Sequence, residues 1–229
     1  MGNIVLSRLN NMKNGELDIS RLGLSTLPDS PLWKNVVKLN CKENQLTQLP
    51  ELPLVVELYC DRNQLTRLPE LPKVKKLTCK NNQLIQMPEL HMVEFLICDS
   101  NQLTELPQLS VIKRLWCERN QLTALPVMPV VEILCCSDNR LSVLPVMPVV
   151  KSLYCENNPF HYKPKYNKLY WDMINFITLK IYVTRWKKFN QKTVSSKKQD
   201  LHLELLYSPD LPFYKEREGY QHWLENTKD

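Results

Sequence analysis

The most regular feature of the sequence is a leucine, a cysteine and an asparagine that recur together every 19 residues. The leucine stands five residues before the asparagine and the cysteine three residues before it, so L-x-C alternates fixed and variable positions. This alternation predicts a β-strand with one buried face. The leucines are Leu39, Leu58, Leu77, Leu96, Leu115, Leu134 and Leu153, and the asparagines are Asn44, Asn63, Asn82, Asn101, Asn120, Asn139 and Asn158.

The rest of each unit predicts a turn followed by an extended return path. An asparagine side chain can hydrogen-bond to neighbouring backbone and turn the chain. The return path usually contains two prolines, as at Pro50 and Pro53, and proline disfavours helix. Each unit has an apolar face that only the next unit can cover. The repeats therefore predict a stacked coil with one parallel sheet.

The two ends of the repeat array depart from the pattern, as the ends of a solenoid must. Leu17 begins a degenerate first repeat, 22 residues before Leu39. We expect residues 1–16 to form an N-terminal cap and residues 17–160 the solenoid. Residues 161–229 are then a mainly helical C-terminal cap.

The repeated phrase LxCxxNQLTxLPELP, seen in full at residues 58–72, resembles the leucine-rich repeat family. It most resembles the short subclass of bacterial type III effectors of the YopM and IpaH group, and it is similar to leucine-rich repeat proteins of large DNA viruses, including the Marseillevirus group. The resemblance covers residues 17–160 and implies an α/β solenoid, a horseshoe or superhelix of about eight coils, with the parallel sheet on its concave side. The 19-residue unit is shorter than the usual span of roughly 20–29 residues, which favours a tight coil.

Seven of the eight cysteines form a ladder of their own, one in each repeat. A stack of disulfides is disfavoured because strands ~4.8 Å apart hold the Cβ atoms further apart than a bridge allows. A column of metal ligands is disfavoured because metal sites use clustered cysteines on loops. We therefore interpret the ladder as small buried apolar side chains in a reducing compartment. Cys135 differs, because alternation directs it outward, and we expect it to be the most reactive thiol.

The sequence contains no recognisable catalytic, cofactor-binding or metal-binding motif. The four histidines share no repeat position, and no glycine-rich phosphate loop, HExxH or nucleophile elbow occurs. Some relatives that the resemblance suggests carry a catalytic-cysteine ubiquitin-ligase domain, but no cysteine follows Phe160. We expect a protein that is not an enzyme. We also expect it to have neither a secretory signal nor a membrane-spanning segment, and to be intracellular.

The outward strand positions of the later repeats are the best candidates for a binding site. In the first repeats these positions alternate lysine with acidic residues, which predicts a face neutralised by its own ion pairs. The later repeats instead predict a contiguous apolar patch, and such patches mark interfaces. The candidate partner-binding residues are Tyr59, Phe95, Ile97, Trp116, Ile133, Cys135 and Tyr154, with Glu118 on an acidic rim that also includes Asp99 and Glu156. The patch could instead form a homotypic contact or be covered by the C-terminal tail.

The charge of the chain is concentrated after the repeats. Residues 161–198 carry ten lysines and arginines against the single acid Asp172, a net charge of +9. This basic segment, residues 163–198, favours nucleic acid or an anionic membrane surface as an alternative partner. The candidate polyanion-binding residues are Lys180, Arg185, Lys187, Lys188 and Lys192. The segment also fits a capping helix with a solvated charged face, and residues 178–184 are β-branched enough for a strand.

Overall fold

The computed structural model describes residues 2–162, 179–180 and 183–184. The chain begins with helix α1 (Gly2–Asn10), strand β1 (Glu16–Asp18) and a 3-10 helix (Pro31–Asn35). Seven more strands of three residues follow, and a second 3-10 helix (Pro159–Tyr162) comes after the last of them. These strands are β2 (Lys38–Asn40), β3 (Glu57–Tyr59), β4 (Lys76–Thr78), β5 (Phe95–Ile97), β6 (Arg114–Trp116), β7 (Ile133–Cys135) and β8 (Ser152–Tyr154).

The eight strands form one parallel sheet in the order in which they occur along the chain. Each ladder leucine lies opposite the next one, so the solenoid predicted from the 19-residue period is confirmed. Leu17 lies opposite Leu39, which confirms the degenerate first repeat. The longer first return path contains the Pro31–Asn35 3-10 helix, which buries Trp33. Apart from the few residues described after 160, the predicted helical cap over 161–229 lies outside the described residues.

Helix α1 packs against β1 and the first 3-10 helix. Val5 and Leu9 are buried, spaced four residues apart on one side of the helix. Arg8 donates from its guanidinium to the backbone carbonyl of Asp18 at 2.6 Å. Apolar burial and this bond together hold α1 on the first coil.

Each of the seven repeats with strands β2 to β8 contributes its ladder leucine and ladder cysteine to the core, together with apolar residues such as Leu46, Leu52 and Val55. The ladder cysteines are 0% exposed and none of the eight cysteines is in a disulfide, so the interpretation of the ladder as small buried apolar side chains is confirmed. Two of them donate weak hydrogen bonds to the next coil, Cys79 Sγ to the carbonyl of Ile97 at 3.5 Å and Cys98 Sγ to that of Trp116 at 3.4 Å. Burial raises the pKa of these two thiols well above its ordinary value.

Each ladder asparagine lies between two coils and bonds to both. Asn101 Nδ2 donates to the carbonyl of Cys98 in its own coil and to that of Cys79 in the preceding coil, both at 3.0 Å. Its Oδ1 accepts from the backbone N–H of Leu84 at 3.0 Å. Equivalent bonds recur at the ladder asparagines from Asn44 to Asn158, none of which is more than 9% exposed. The predicted bond from the amide to the backbone is confirmed.

The residue before each ladder asparagine has a left-handed backbone conformation. Its φ lies between 53° and 56° in all seven repeats, although none of these residues is glycine. Such a φ is uncommon for residues with a side chain, and surrounding contacts must maintain it. The backbone N–H of this residue donates to the next coil, for example from Ser100 to the carbonyl of Glu118 at 2.8 Å. The turn is therefore held by the same stacking that forms the sheet.

We expect Asn101→Ala to lower the free energy of unfolding by at least about 3 kcal/mol, because two carbonyls and one N–H lose their buried partner. Urea denaturation followed by circular dichroism measures the change. Gln102→Ala is the matched control, since the Gln102 side chain is exposed, and its effect should stay within about 0.5 kcal/mol. Equal effects of the two substitutions would contradict a stabilising role of the asparagine ladder.

Candidate functional site

The residues on either side of each ladder leucine form two rows on the face of the sheet opposite the core. We call this surface the sheet face. Strand register places the residues of each row side by side. A third row follows the ends of the strands, at positions equivalent to Lys42 and Asp61. The first row is Lys38, Glu57, Lys76, Phe95, Arg114, Ile133 and Ser152, and the second is Asn40, Tyr59, Thr78, Ile97, Trp116, Cys135 and Tyr154.

Over β1 to β3 the charges of the sheet face neutralise one another. Lys38 Nζ lies 4.0 Å from Glu16 Oε1 and 3.7 Å from Glu57 Oε2. Lys42 Nζ lies 2.7 Å from Oδ2 of the buried Asp61. The predicted self-neutralised face is therefore confirmed in these repeats.

Tyr59 belongs to this paired region and not to the apolar patch. Lys42 Nζ lies 4.9 Å from the centroid of its ring, and Lys76 Nζ lies 5.1 Å from the same centroid. Its hydroxyl donates to Glu57 Oε2 at 2.6 Å. Thr78 stands between Tyr59 and Ile97 in the second row. The Tyr59 ring thus has partners within its own chain.

Over β5 to β8 the sheet face becomes apolar. The rings of Phe95 and Trp116 are in contact, with centroids 5.3 Å apart and planes tilted by 45°. Register then continues the surface from Trp116 through Cys135 to Tyr154, which is 53% exposed. Ile97 and Ile133 are half-buried beside these residues. Six of the predicted residues therefore lie together: Phe95, Ile97, Trp116, Ile133, Cys135 and Tyr154.

Cys135 lies in the second row as predicted and is the least buried of the eight cysteines, but its thiol is not exposed. It is only 6% exposed, because it is flanked by Trp116 on one strand and Tyr154 on the other. Burial, together with the carboxylates of Glu118 and Asp99, raises the pKa of this thiol to about 12. A thiol with this pKa is almost wholly protonated at neutral pH and is a poor nucleophile.

The predicted acidic rim lies in the third row, and its charges are unpaired within the described chain. No lysine or arginine among residues 2–162 forms an ion pair with Asp99, Glu118 or Glu156. Burial raises the pKa of Asp99 to about 6, and the neighbouring charges of Glu118 and Asp61 act in the same direction. The backbone N–H of Glu118 and the ammonium of Lys80 oppose this shift.

The site residues predicted from the sequence did not include two surface features. Arg114 is exposed between Phe95 and Ile133 in the first row, so the patch contains a cation. Comparison of that one row across the repeats could have found it.

The second missed feature lies on the return path. Val127 and Val146 are 66% and 85% exposed, at the position where earlier repeats have acids such as Glu51 and Glu70. Aligning the return paths of successive repeats reveals this change. It is an apolar surface separate from the sheet face.

Most of the predicted polyanion-binding residues lie outside the described residues. Lys180 is described and exposed, and its carbonyl accepts from Thr184 Oγ1 at 2.8 Å in a helical segment. The predicted residues Arg185, Lys187, Lys188 and Lys192 lie beyond what the structure describes.

Among the described residues, no group of three or more histidine, cysteine, aspartate or glutamate side chains could hold a metal ion. None of the helices in this part of the chain combines the length and apolar character that crossing a membrane requires.

Comparison with solved structures finds leucine-rich bacterial effectors. YopM from Yersinia pestis is 31% identical over 68% of this chain with a TM-score of 0.55, and YopM from Yersinia enterocolitica is 34% identical over 68% with a TM-score of 0.61. A Shigella effector leucine-rich-repeat domain is 36% identical with a TM-score of 0.56, and the match covers 62% of this chain and 68% of that domain. This chain belongs to the leucine-rich-repeat family. Neither the protein-family models nor the curated proteins give a match.

The match to the two YopM chains is partial in length. The leucine-rich-repeat chain described here spans 54% of the Yersinia pestis protein and 37% of the Yersinia enterocolitica protein. The neighbours are leucine-rich effector proteins, and such solenoids typically serve binding and not catalysis.

We expect Asp99→Asn to stabilise the protein at neutral pH. The folded-state pKa of about 6 exceeds the ordinary value of 3.8, so deprotonation of Asp99 costs stability as pH rises from about 4 to 7. The asparagine removes the charge and keeps an acceptor for the Glu118 N–H, which should add about 1–2 kcal/mol to the free energy of unfolding at pH ~7.5. Urea denaturation at several pH values measures the gain, which should vanish below pH ~4.

Asp61→Asn is the matched control for Asp99→Asn at the equivalent position two repeats earlier. Asp61 accepts from Lys42 Nζ, from Thr78 Oγ1 at 2.9 Å and from the N–H of Lys80 at 3.0 Å. Its neutralisation should destabilise the protein at pH ~7.5. A pH-independent effect of Asp99→Asn, or a loss of stability at that pH, would contradict the assigned titration.

We expect none of the eight cysteines to react readily in the folded protein, because all are buried and the thiol of Cys135 has a pKa of about 12. At pH ~8 the alkylation of Cys135 by iodoacetamide, followed by mass spectrometry, should be at least about 100-fold slower than that of free glutathione. Ser142→Cys supplies an exposed thiol as a positive control. Fast native labelling of Cys135 would show that its flanking rings move aside.

Proposed function

We propose that this leucine-rich-repeat protein is a non-enzymatic interaction module that binds a protein partner on the sheet face of β5 to β8. The observation that carries the proposal is the contiguous surface from the Phe95–Trp116 ring contact to the exposed Tyr154. Large aromatic residues dominate binding hot spots, and contiguous exposed apolar surface marks interfaces. The resemblance to effector proteins supports a binding role for the scaffold.

We further propose that the partner is a protein of a eukaryotic host cell and that the chain acts inside such a cell. The named neighbours are effectors of Yersinia and Shigella, which supports a pathogen as the source. Eight buried cysteines that form no disulfide fit a reducing compartment. The family resemblance implies that the sheet lies on the concave side of the solenoid, and we propose that the partner binds inside this curve.

A capture experiment from host lysate tests the proposal. Full-length wild type should capture a protein from the lysate. A Phe95/Trp116/Tyr154→Ala variant should bind that protein at least about 30-fold more weakly, because hot-spot aromatic residues contribute most of the binding free energy of such interfaces. A Val127/Val130/Val146→Ala variant is the matched control, since it removes apolar surface from the return path. Capture that survives the aromatic variant but fails with the valine variant would move the interface to the return path.

The second candidate function is polyanion binding through residues 163–198, which the net charge of +9 over residues 161–198 favours. Binding to nucleic acid or anionic vesicles through this segment should weaken steeply as salt rises from about 50 to 200 mM. Capture through the aromatic patch should be lost in the Phe95/Trp116/Tyr154→Ala variant, whereas polyanion binding through residues 163–198 should survive it. Measuring both activities with this variant separates the two functions.

A further inference from the structure

The early repeats contain a cation site that is already filled, formed by the side chains of Lys42, Tyr59 and Asp61. Lys42 Nζ lies 4.9 Å from the ring centroid of Tyr59 and 2.7 Å from the carboxylate of Asp61. An aromatic face and a carboxylate both attract an ammonium group, and each attraction strengthens where water is partly excluded. Lys42 lies in one repeat, whereas Tyr59 and Asp61 lie in the next. The site is thus completed by a lysine from the preceding coil.

The aromatic and acidic members of this site recur in two later repeats, but the lysine does not. Three repeats on, Trp116 and Glu118 follow an aspartate, Asp99. Five repeats on, Tyr154 and Glu156 follow a serine, Ser137. We call Trp116 with Glu118, and Tyr154 with Glu156, the two open sites.

The geometry at the Tyr154 and Glu156 site parallels that of the filled site. Ser137 Oγ donates to Glu156 Oε2 at 2.7 Å, the same pairing of positions as Lys42 with Asp61. The serine hydroxyl therefore occupies the place of the ammonium group without supplying its charge.

The open sites also lack a cation from elsewhere in the described chain. Among residues 2–162, no lysine or arginine pairs with Glu118 or Glu156, and none lies over the ring of Trp116 or Tyr154. Arg114 is in the other row, where its charge helps to lower the pKa of Glu132. Asp99 adds a further acid beside Glu118. Both open sites are therefore aromatic, acidic and unfilled.

We propose that the two open sites bind two cationic side chains of one extended, basic segment of the protein partner, in the way that Lys42 fills the early site. This inference rests on the proposed function and specifies the chemistry of the partner. The charge complementarity is direct, because the sheet face offers rings and unpaired carboxylates where the early repeats hold their own lysine.

The separation of the open sites sets the spacing of the cations. Trp116 and Tyr154 lie two strands apart in the second row, a distance of roughly 10 Å at the usual strand spacing. A polyproline II segment repeats the same side every three residues, at about 9 Å. The partner segment should therefore carry arginine or lysine at positions three residues apart, in an extended proline-rich context.

The first test uses two labelled proline-rich peptides, with two arginines either three residues apart or adjacent. Fluorescence anisotropy with the full-length protein should show binding of the spaced peptide at least about tenfold tighter than that of the adjacent isomer. Equal affinities would overturn the proposal, because general electrostatic attraction does not distinguish the two peptides.

The second test changes the protein and keeps the spaced peptide. Glu118→Gln and Glu156→Gln should each weaken binding about tenfold. Glu94→Gln removes the same charge from a carboxylate that already pairs with Lys113 at 2.6 Å, and it should leave the affinity unchanged. If Glu94→Gln weakens binding as much as the other two, or if those two have no effect, the open sites are refuted.

The third test restores the missing lysine. Ser137→Lys should fill the Tyr154 and Glu156 site from within the chain and weaken peptide binding as much as Glu156→Gln does. Ser137→Ala is the matched control, which removes only the hydroxyl and should keep the affinity. Circular dichroism confirms that each variant is folded. Full affinity in a folded Ser137→Lys variant would overturn the proposal.

The peptide experiments test the cation sites, and the capture experiment tests the proposed function, so each can fail without the other. If host-protein capture requires Phe95, Trp116 and Tyr154 while the peptides ignore Glu118 and Glu156, the interface stands and the cation sites are refuted. If capture ignores the aromatic residues, the proposed function fails whatever the peptides do.

Discussion

The structure depends on the buried asparagine side chain that bonds to two coils at once. Each amide satisfies carbonyls of its own coil and of the preceding coil, and its oxygen accepts a backbone N–H from the preceding coil. A buried polar group without such partners would cost free energy, so every coil must stand in a fixed register to its neighbour. Because the same bonds recur at each repeat, residues 19 apart in sequence take equivalent positions in neighbouring coils. The sheet and the leucine and cysteine ladders follow from that constraint.

Because the register is fixed, the outward residues of the sheet face can vary independently of the core. The inward leucines and cysteines of the repeats are the same from coil to coil, so packing does not restrict what the outward residues are. Residues 19 apart in sequence become lateral neighbours, and their chemistry can be paired or left unpaired. The early repeats use this freedom to pair Lys42 with Asp61, whereas the later repeats place Asp99 beside Glu118. The contrast between the halves therefore reflects the side chains and not a change of fold.

The sequence was sufficient to predict the elements that depend on periodicity. The strand positions, the register of Leu17 with Leu39, the bonding of the asparagines and the neutral early face all follow from spacing and alternation. Properties that depend on the size of neighbouring side chains did not follow. Alternation gave the direction of Cys135 correctly, but only the flanking Trp116 and Tyr154 explain why its thiol is buried and protonated.

The surroundings of Tyr59 could not be predicted from its position in the repeat either. Row position alone grouped Tyr59 with Trp116 and Tyr154, and in row position the three are indeed equivalent. What separates them is the lysines over the ring: Lys42 of the preceding coil and Lys76 of the next coil lie over Tyr59, whereas the residues 17 positions before Trp116 and Tyr154 are Asp99 and Ser137. A lysine side chain is long and flexible enough to cross the strand spacing and cover a ring, whereas aspartate and serine are too short. Whether an aromatic ring on this surface has a cation over it is therefore decided by the neighbouring coils, and a binding residue of such a solenoid has to be identified from adjacent repeats.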